Sequence, residues 1–171
     1  MKGYIHIYTG NGKGKTTAAL GIALRATGAG KKVFIAQFVK GRKYAEMNAL
    51  EKLKPEIIIK QFGRGCFIIN QATEKDTEAA RKGLAEAAII IASGSYDLVI
   101  LDEACIAIYY NLFSTEELID ILKSKKEETE IIITGRYASR ELIDFADLVT
   151  EMKEVKHYYN NGIEAREGIE Y

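Results

Sequence analysis

Tryptophan is absent from this chain, proline occurs once and cysteine only twice. The lone proline argues against a long flexible linker, and no internal repeat or low-complexity tract suggests an array. Cys66 and Cys105 share no C-x-x-C spacing. Neither a zinc site nor a disulfide framework is therefore expected, and both thiols read as buried or idle. Neither sign of charge is in excess, since 24 lysines and arginines balance 24 aspartates and glutamates. Strong non-specific binding to nucleic acid or to an anionic membrane is not expected of such a surface. No apolar run approaches the roughly 20 residues of a membrane span. Met1 leads almost directly into the first strand-like run, leaving no room for a signal peptide, and a cytoplasmic protein is expected.

What is present is material for a core. Of 171 residues, 47% are hydrophobic, which argues against disorder and suffices for one domain. Apolar runs at 4–8, 33–38, 57–62, 97–102, 130–134 and 147–151 alternate with helical patterns. Helices are expected from 17 to 25, after the second run to about Leu53, from Thr73 to near Gly94, from Ser114 to about Lys125, and after Ser139. Thr73-Glu-Lys-Asp76 and Ser114-Thr-Glu-Glu117 read as capping boxes. Residues 63–67 form a loop whose shape the sequence leaves open. Strand alternating with helix predicts a three-layer α/β domain with a mainly parallel sheet of about six strands. Ligands of such sheets sit beyond the carboxyl ends of the strands, so the functional residues are expected just after each strand. Residues 1–171 read as one nucleotide-binding domain in which 153–171, polar and aromatic without a clean period, wraps over a surface near a site or partner. In that tail His157 is open between ligand and structural roles, while His6 packs within the first strand.

Thr9-Gly-Asn-Gly-Lys-Gly-Lys-Thr16 follows the first strand and opens directly into Thr17-Ala-Ala-Leu-Gly-Ile-Ala-Leu-Arg25. Strand, glycine-rich turn and helix in that order make a phosphate-binding loop. Backbone N–H groups wrap phosphate oxygens, and the helix N-terminus adds partial positive charge. Lys15 is placed to reach the outer phosphates and the Thr16 hydroxyl to bind Mg²⁺. Gly10, Asn11, Gly12, Lys13, Gly14 and Thr17 complete the contact set. The first glycine of the generic spacing is replaced by Thr9, so the grip need not be that of an ordinary hydrolase.

The run 97–102 ends in Asp102-Glu103, the acidic partner such a loop requires to orient Mg²⁺ directly or through water. Glu103 is open between activating water and ligating the metal, and Asp102 between direct and indirect contact. Lys40 after the second strand and Arg136 after the fifth are placed to offset negative charge on a triphosphate. Arg25 is open between a nucleotide contact and plain surface. No Asn-Lys-x-Asp base-reading motif occurs, which argues against a GTPase.

Taken together, the chain resembles the ATP:corrinoid adenosyltransferases of the phosphate-loop class. The resemblance rests on Thr9-Gly-Asn-Gly-Lys-Gly-Lys-Thr-Thr17, on Gln37-Phe38 with Lys40-Gly41, on 97–103, on Thr134-Gly-Arg136 and on Ala146-Asp-Leu-Val-Thr-Glu-Met152. Val155-Lys-His157, Gly162-Ile163 and Gly168-Ile-Glu-Tyr171 continue it to the last residue. It implies a P-loop NTPase-like, RecA-like fold and transfer of the 5′-deoxyadenosyl group of ATP to a Co(I) corrinoid, with release of triphosphate. It further implies Mg²⁺ or Mn²⁺, an electron donor such as a reduced flavoprotein, and a homodimer. Lys15 and Glu103 would be the catalytic residues, and Thr16, Asp102 and Glu103 the metal-binding ones. Two departures stand out: an N-terminal segment of better-known members is missing, and so is the tryptophan of their corrinoid lid. Phe67, in Gly65-Cys-Phe-Ile-Ile69, is the residue left to supply an apolar lid. Two other readings share the loop: a P-loop hydrolase or kinase in which Glu103 activates water, and a non-catalytic protein that binds ATP and corrinoid.

Overall fold

A computed structural model describes residues 2–42, 44–65, 68 and 71–171. Six strands form one sheet: β1 (Ile5–Thr9), β2 (Val33–Phe38), β3 (Ile57–Phe62), β4 (Leu98–Asp102), β5 (Glu130–Thr134) and β6 (Leu148–Glu151). Their order is β3-β2-β4-β5-β1-β6 and every neighbouring pair is parallel. Right-handed crossovers through helices are the usual way to join such strands, and both faces are then covered. The run Val33-Phe-Ile-Ala-Gln-Phe38 is buried throughout, as a central strand requires. Its period of two divides the core. Phe34, Ala36 and Phe38 face one helical layer, while Val33 and Ile35 face the other.

Helix α1 (Lys15–Gly28) covers the second face with Ala19 and Ala23, four residues apart and fully buried. Small side chains there let the helix lie close to β1 and hold its N-terminus at the strand's end. The opposite face is covered by α3 (Glu74–Ser93), α4 (Ala104–Tyr109), α5 (Thr115–Lys123) and α6 (Arg140–Phe145). Both predicted capping boxes form. Asp76 N–H donates to Thr73 Oγ1 at 3.3 Å, and the Thr73 N–H reaches back to Asp76 at 2.9 Å. At Ser114 and Glu117 the two distances are 3.1 and 2.7 Å. Ser139 Oγ caps α6 by accepting from Leu142 N–H.

Two local expectations differ from the structure. The helix after β2 is confined to α2 (Ala45–Leu50) and a 3₁₀ turn at Glu51–Leu53. Before it, the chain leaves the strand at Val39 with φ +62°, and Gly41 N–H donates to Gly65 O. That loop-to-loop bond replaces helical pairing. Conversely, α4 was not anticipated, because Ala-Cys-Ile-Ala-Ile-Tyr109 is apolar throughout and shows no helical period. Among the described residues no helix is long and apolar enough to cross a membrane.

Candidate functional site

The carboxyl ends of β1, β5, β4 and β2 converge on one edge, and the glycine loop is built against a second wall. Met152, just after β6, donates its N–H to Thr9 O at 2.8 Å and accepts from Gly12 N–H at 2.6 Å. A Cβ on Gly12 would lie 2.7 Å from Met152 O, and one on Gly10, at φ +94°, 2.5 Å from it. Both positions therefore require glycine for close approach, and Gly10 for its backbone as well. The loop turns into α1 at Gly14, φ +116°.

Within this frame Lys15 folds back on the loop, its ammonium donating to Gly10 O and Gly12 O at 2.8 Å each. Burial holds its pKa below the usual lysine value, and Arg136 adds to that, while Glu103 and Asp102 oppose it.

Asp102, 1% exposed, is the hub of the site. Its Oδ1 accepts from the Thr16 hydroxyl (2.8 Å) and the Thr134 hydroxyl (2.7 Å). Its Oδ2 accepts from Lys40 Nζ (2.8 Å) and Gln37 Nε2 (3.1 Å). Two donors on each oxygen saturate the carboxylate. Asp102 thereby orients Thr16 from beneath the loop. Strand order explains Thr134: β5 lies between β4 and β1, so its last residue bridges Asp102 and the Glu103 N–H, which donates to Thr134 Oγ1 at 3.0 Å.

Glu103 differs from its neighbour in every respect. It sits at φ +59°, its side chain makes no hydrogen bond among the described residues, and it borders two cavities. Burial pushes its carboxyl pKa up, helped by the Asp102 charge, against the pull of Lys40, Lys15 and Arg136. Among the described residues no group of three or more His, Cys, Asp or Glu could hold a metal ion. A divalent cation here would rest on Thr16, Glu103 and phosphate oxygens, the ligand-poor arrangement that Mg²⁺ accepts.

The two cavities meet at Lys15, Lys40, Tyr44, Glu103 and Arg136. One, of about 530 Å³, is the phosphate side, with Lys13, Thr16, Thr17 and the tail stretch Gly168–Tyr171 in its wall. The other, of about 640 Å³, is largely apolar, with Val39, Ile68, Ile106, Tyr110, Tyr137 and Tyr159.

Of the sequence-predicted residues, Lys13, Gly14, Lys15, Thr16, Thr17, Lys40, Glu103 and Arg136 line the phosphate cavity, and Asp102 lies beneath it. Gly10 and Gly12 shape the loop, and Asn11 is exposed at its tip. Arg25 is not brought to this cluster; it is exposed in the last turn of α1 and lines neither cavity. Phe67 lies outside the described residues, as does Cys66. Cys105 is fully buried, its thiol pushed up to about 12 by burial, and is inert. Sequence reasoning named Gln37 and Thr134 only within the motifs that carry the resemblance, and assigned no role to Tyr44, Tyr110 or Tyr137. A polar residue inside an otherwise buried strand was the available signal for Gln37 and Thr134. Nothing local marked those three tyrosines.

The whole chain, residues 1–171, matches the family described as ATP:corrinoid adenosyltransferase BtuR/CobO/CobP. It is 40% identical to the corrinoid adenosyltransferase of Escherichia coli K12 over 171 residues, covering 99% of this chain and 86% of that one. It is 39% identical to corrinoid adenosyltransferase CobA of Salmonella typhimurium, with the same coverage. In fold it is similar to the flagellar accessory protein FlaH of Methanocaldococcus jannaschii, with TM-score 0.61, 12% identity, and coverage of 88% of this chain and 71% of that one. The KaiC-like protein PH0186 of Pyrococcus horikoshii gives TM-score 0.58 at 14% identity, covering 91% and 75%.

Proposed function

This chain belongs to the ATP:corrinoid adenosyltransferase family, and on that premise we propose that its two joined cavities hold the two substrates, triphosphate in one and corrinoid in the other. The reaction transfers the 5′-deoxyadenosyl group of ATP to the Co(I) centre of a corrinoid and releases triphosphate. Cobalt supplies the electron pair of the new Co–C bond, and the C5′–O bond breaks with its electrons on the triphosphate. The nucleophile carries no proton, so no general base is required. The protein must instead align the 5′-carbon and stabilise charge on the leaving group.

The observation that carries this reading is the shared wall of the cavities. With the triphosphate seated on the loop, the 5′-carbon would face the apolar side across the wall that the two cavities share. Lys15 exchanges the carbonyls of Gly10 and Gly12 for phosphate oxygens, and Lys13, Lys40 and Arg136 spread the remaining charge. Thr16 and Glu103 would hold Mg²⁺ or Mn²⁺, which neutralises phosphate charge when bound, while Asp102 keeps Thr16 aimed. Ile106, Tyr110, Tyr137 and Tyr159 offer flat apolar surface to the corrinoid, and Phe67 is assigned to its lid. The cobalt must be reduced before it attacks, which calls for a donor such as a reduced flavoprotein in the cytoplasm; the working form is assigned as a homodimer.

Incubation with ATP, Mg²⁺ and chemically reduced cobalamin tests the reading. The corrinoid spectrum should change to that of the adenosyl form with one tripolyphosphate released per adenosyl group. Orthophosphate or ADP with an unchanged corrinoid would assign the loop to hydrolysis or phosphoryl transfer instead.

A further inference from the structure

The tail wall of the phosphate cavity carries a carboxylate where a site for polyphosphate would be expected to avoid one. Lys13 Nζ, on the loop between Gly12 and Gly14, lies 2.6 Å from Glu170 Oε1 and 3.1 Å from the Tyr158 hydroxyl. The Tyr158 hydroxyl itself donates to Glu170. The other oxygen of Glu170 accepts from the Arg166 backbone N–H at 2.7 Å and from its Nε at 3.3 Å. Arg166 in turn stacks over the Tyr158 ring, 4.9 Å from its centre. Glu170 is 16% exposed and Lys13 41%. The hydrogen bonds from Lys13 and Tyr158 hold the Glu170 carboxyl well below the usual carboxylate range, so it is charged at any working pH.

We infer that Glu170 is a positioning residue for product release: it competes with the outer phosphates for Lys13 and so loosens tripolyphosphate from the loop. This rests on the adenosyl-transfer reading. When the C5′–O bond breaks, an ester oxygen becomes anionic, and the product carries one more negative charge than the triphosphate of ATP. A loop built from lysines and N–H groups therefore holds product more tightly than substrate. A fixed anion bound to one of those lysines repels both, and repels the more highly charged product more. Arg166 offsets part of the Glu170 charge through its ion pair, but it lines neither cavity, and removing the carboxylate leaves the cluster one positive charge richer.

The test is calorimetric titration of the full chain with tripolyphosphate and Mg²⁺, without turnover. Glu170→Gln keeps the shape and hydrogen-bonding reach of the side chain and removes its charge. Its affinity for tripolyphosphate should rise roughly three- to fivefold, as for a part-exposed charge pair, with a smaller gain for ATP. Salt at about 1 M should erase the difference. In a Lys13→Ala background the Gln substitution should change affinity by a clearly different factor, since the two side chains act as one unit. In turnover, the Gln variant should keep the first-turnover rate and lose steady-state kcat. Equal or weaker tripolyphosphate binding by Glu170→Gln, or full additivity with Lys13→Ala, overturns the role and leaves the clasp a structural anchor. Those results, with intact adenosyl transfer by the wild type, would leave the family reaction standing; orthophosphate as the wild-type product would overturn the reaction itself.

Discussion

Asp102 and Glu103 are adjacent carboxylates with opposite situations, and substitution should separate them. Asp102 accepts four hydrogen bonds, one of them from the partly buried Lys40 ammonium. Asp102→Asn leaves that ammonium without its counter-charge and turns an acceptor into a donor. A loss of about 3 kcal/mol in denaturant unfolding is expected, together with loss of activity. Glu103 lacks a hydrogen-bond partner among the described residues and is held in a mostly buried place. Glu103→Gln should raise or preserve the thermal midpoint of the metal-free protein, while abolishing the Mg²⁺ dependence of adenosyl transfer. An unchanged metal titration in that variant would remove Glu103 from the metal. Lys15→Ala should lower kcat/KM by about a hundredfold or more, the scale of losing one transition-state charge partner. Its far-ultraviolet spectrum should stay that of the wild type, since only two loop carbonyls lose a partner. Wild-type turnover by Lys15→Ala would remove the loop from the chemistry.

At the scale of elements, α3 and α5 owe their starts to local hydrogen bonds that are sensitive to acid. The Ser114 backbone holds the Glu117 carboxyl below its ordinary 4.5, and the Thr73 side chain holds Asp76 below 3.8. A carboxylate with a depressed folded-state pKa contributes stability above its unfolded value and loses it as pH falls through the folded one. The thermal midpoint should therefore begin to fall as pH drops below the ordinary carboxylate values and keep falling through the lower folded ones. Both groups are partly exposed, so each contributes modestly. Ser114→Ala should cost about 1 kcal/mol, or roughly 2–4 °C in a domain of this size, and should make the acid-side fall shallower. A variant whose acid profile matches the wild type would mean that the box contributes nothing measurable to the fold.

Across the whole molecule, the apolar cavity is assembled from segments far apart in sequence, and Tyr137 shows what that assembly demands. It has φ +61°, unusual for a bulky residue, and its ring stacks on Tyr109 at 4.4 Å. Tyr110, in edge contact with Tyr109, donates its hydroxyl to Ile68 O beyond β3. Tyr137→Gly relieves the backbone while removing a ring from the cavity rim. Thermal stability should change little, the KM for corrinoid should rise, and the KM for ATP should stay. Equal shifts in both KM values would make Tyr137 a general support of the edge and not part of the corrinoid surface.

The alternation of apolar runs with helical patterns, the two capping boxes and the loop from Thr9 to Thr17 were all legible in the sequence, because each depends on neighbours a few residues apart. Strand placement followed, and with it the expectation that Lys15, Thr16, Lys40, Glu103 and Arg136 lie at one sheet edge, where the structure puts them. The α4 helix was not legible, since a wholly apolar segment has no period to read. Nor was the saturation of Asp102, which depends on β5 lying between β4 and β1 so that Thr134 can reach it. The approach of Met152 to Gly10 and Gly12, and of Glu170 to Lys13, brings together residues more than 130 positions apart. Local chemistry thus determined the loop, the strands and the caps. Which carboxylate stays free, which tyrosines make a cavity and which tail residue meets the loop were decided only by the order of strands in the sheet, because contacts between distant segments exist only once the chain has closed on itself.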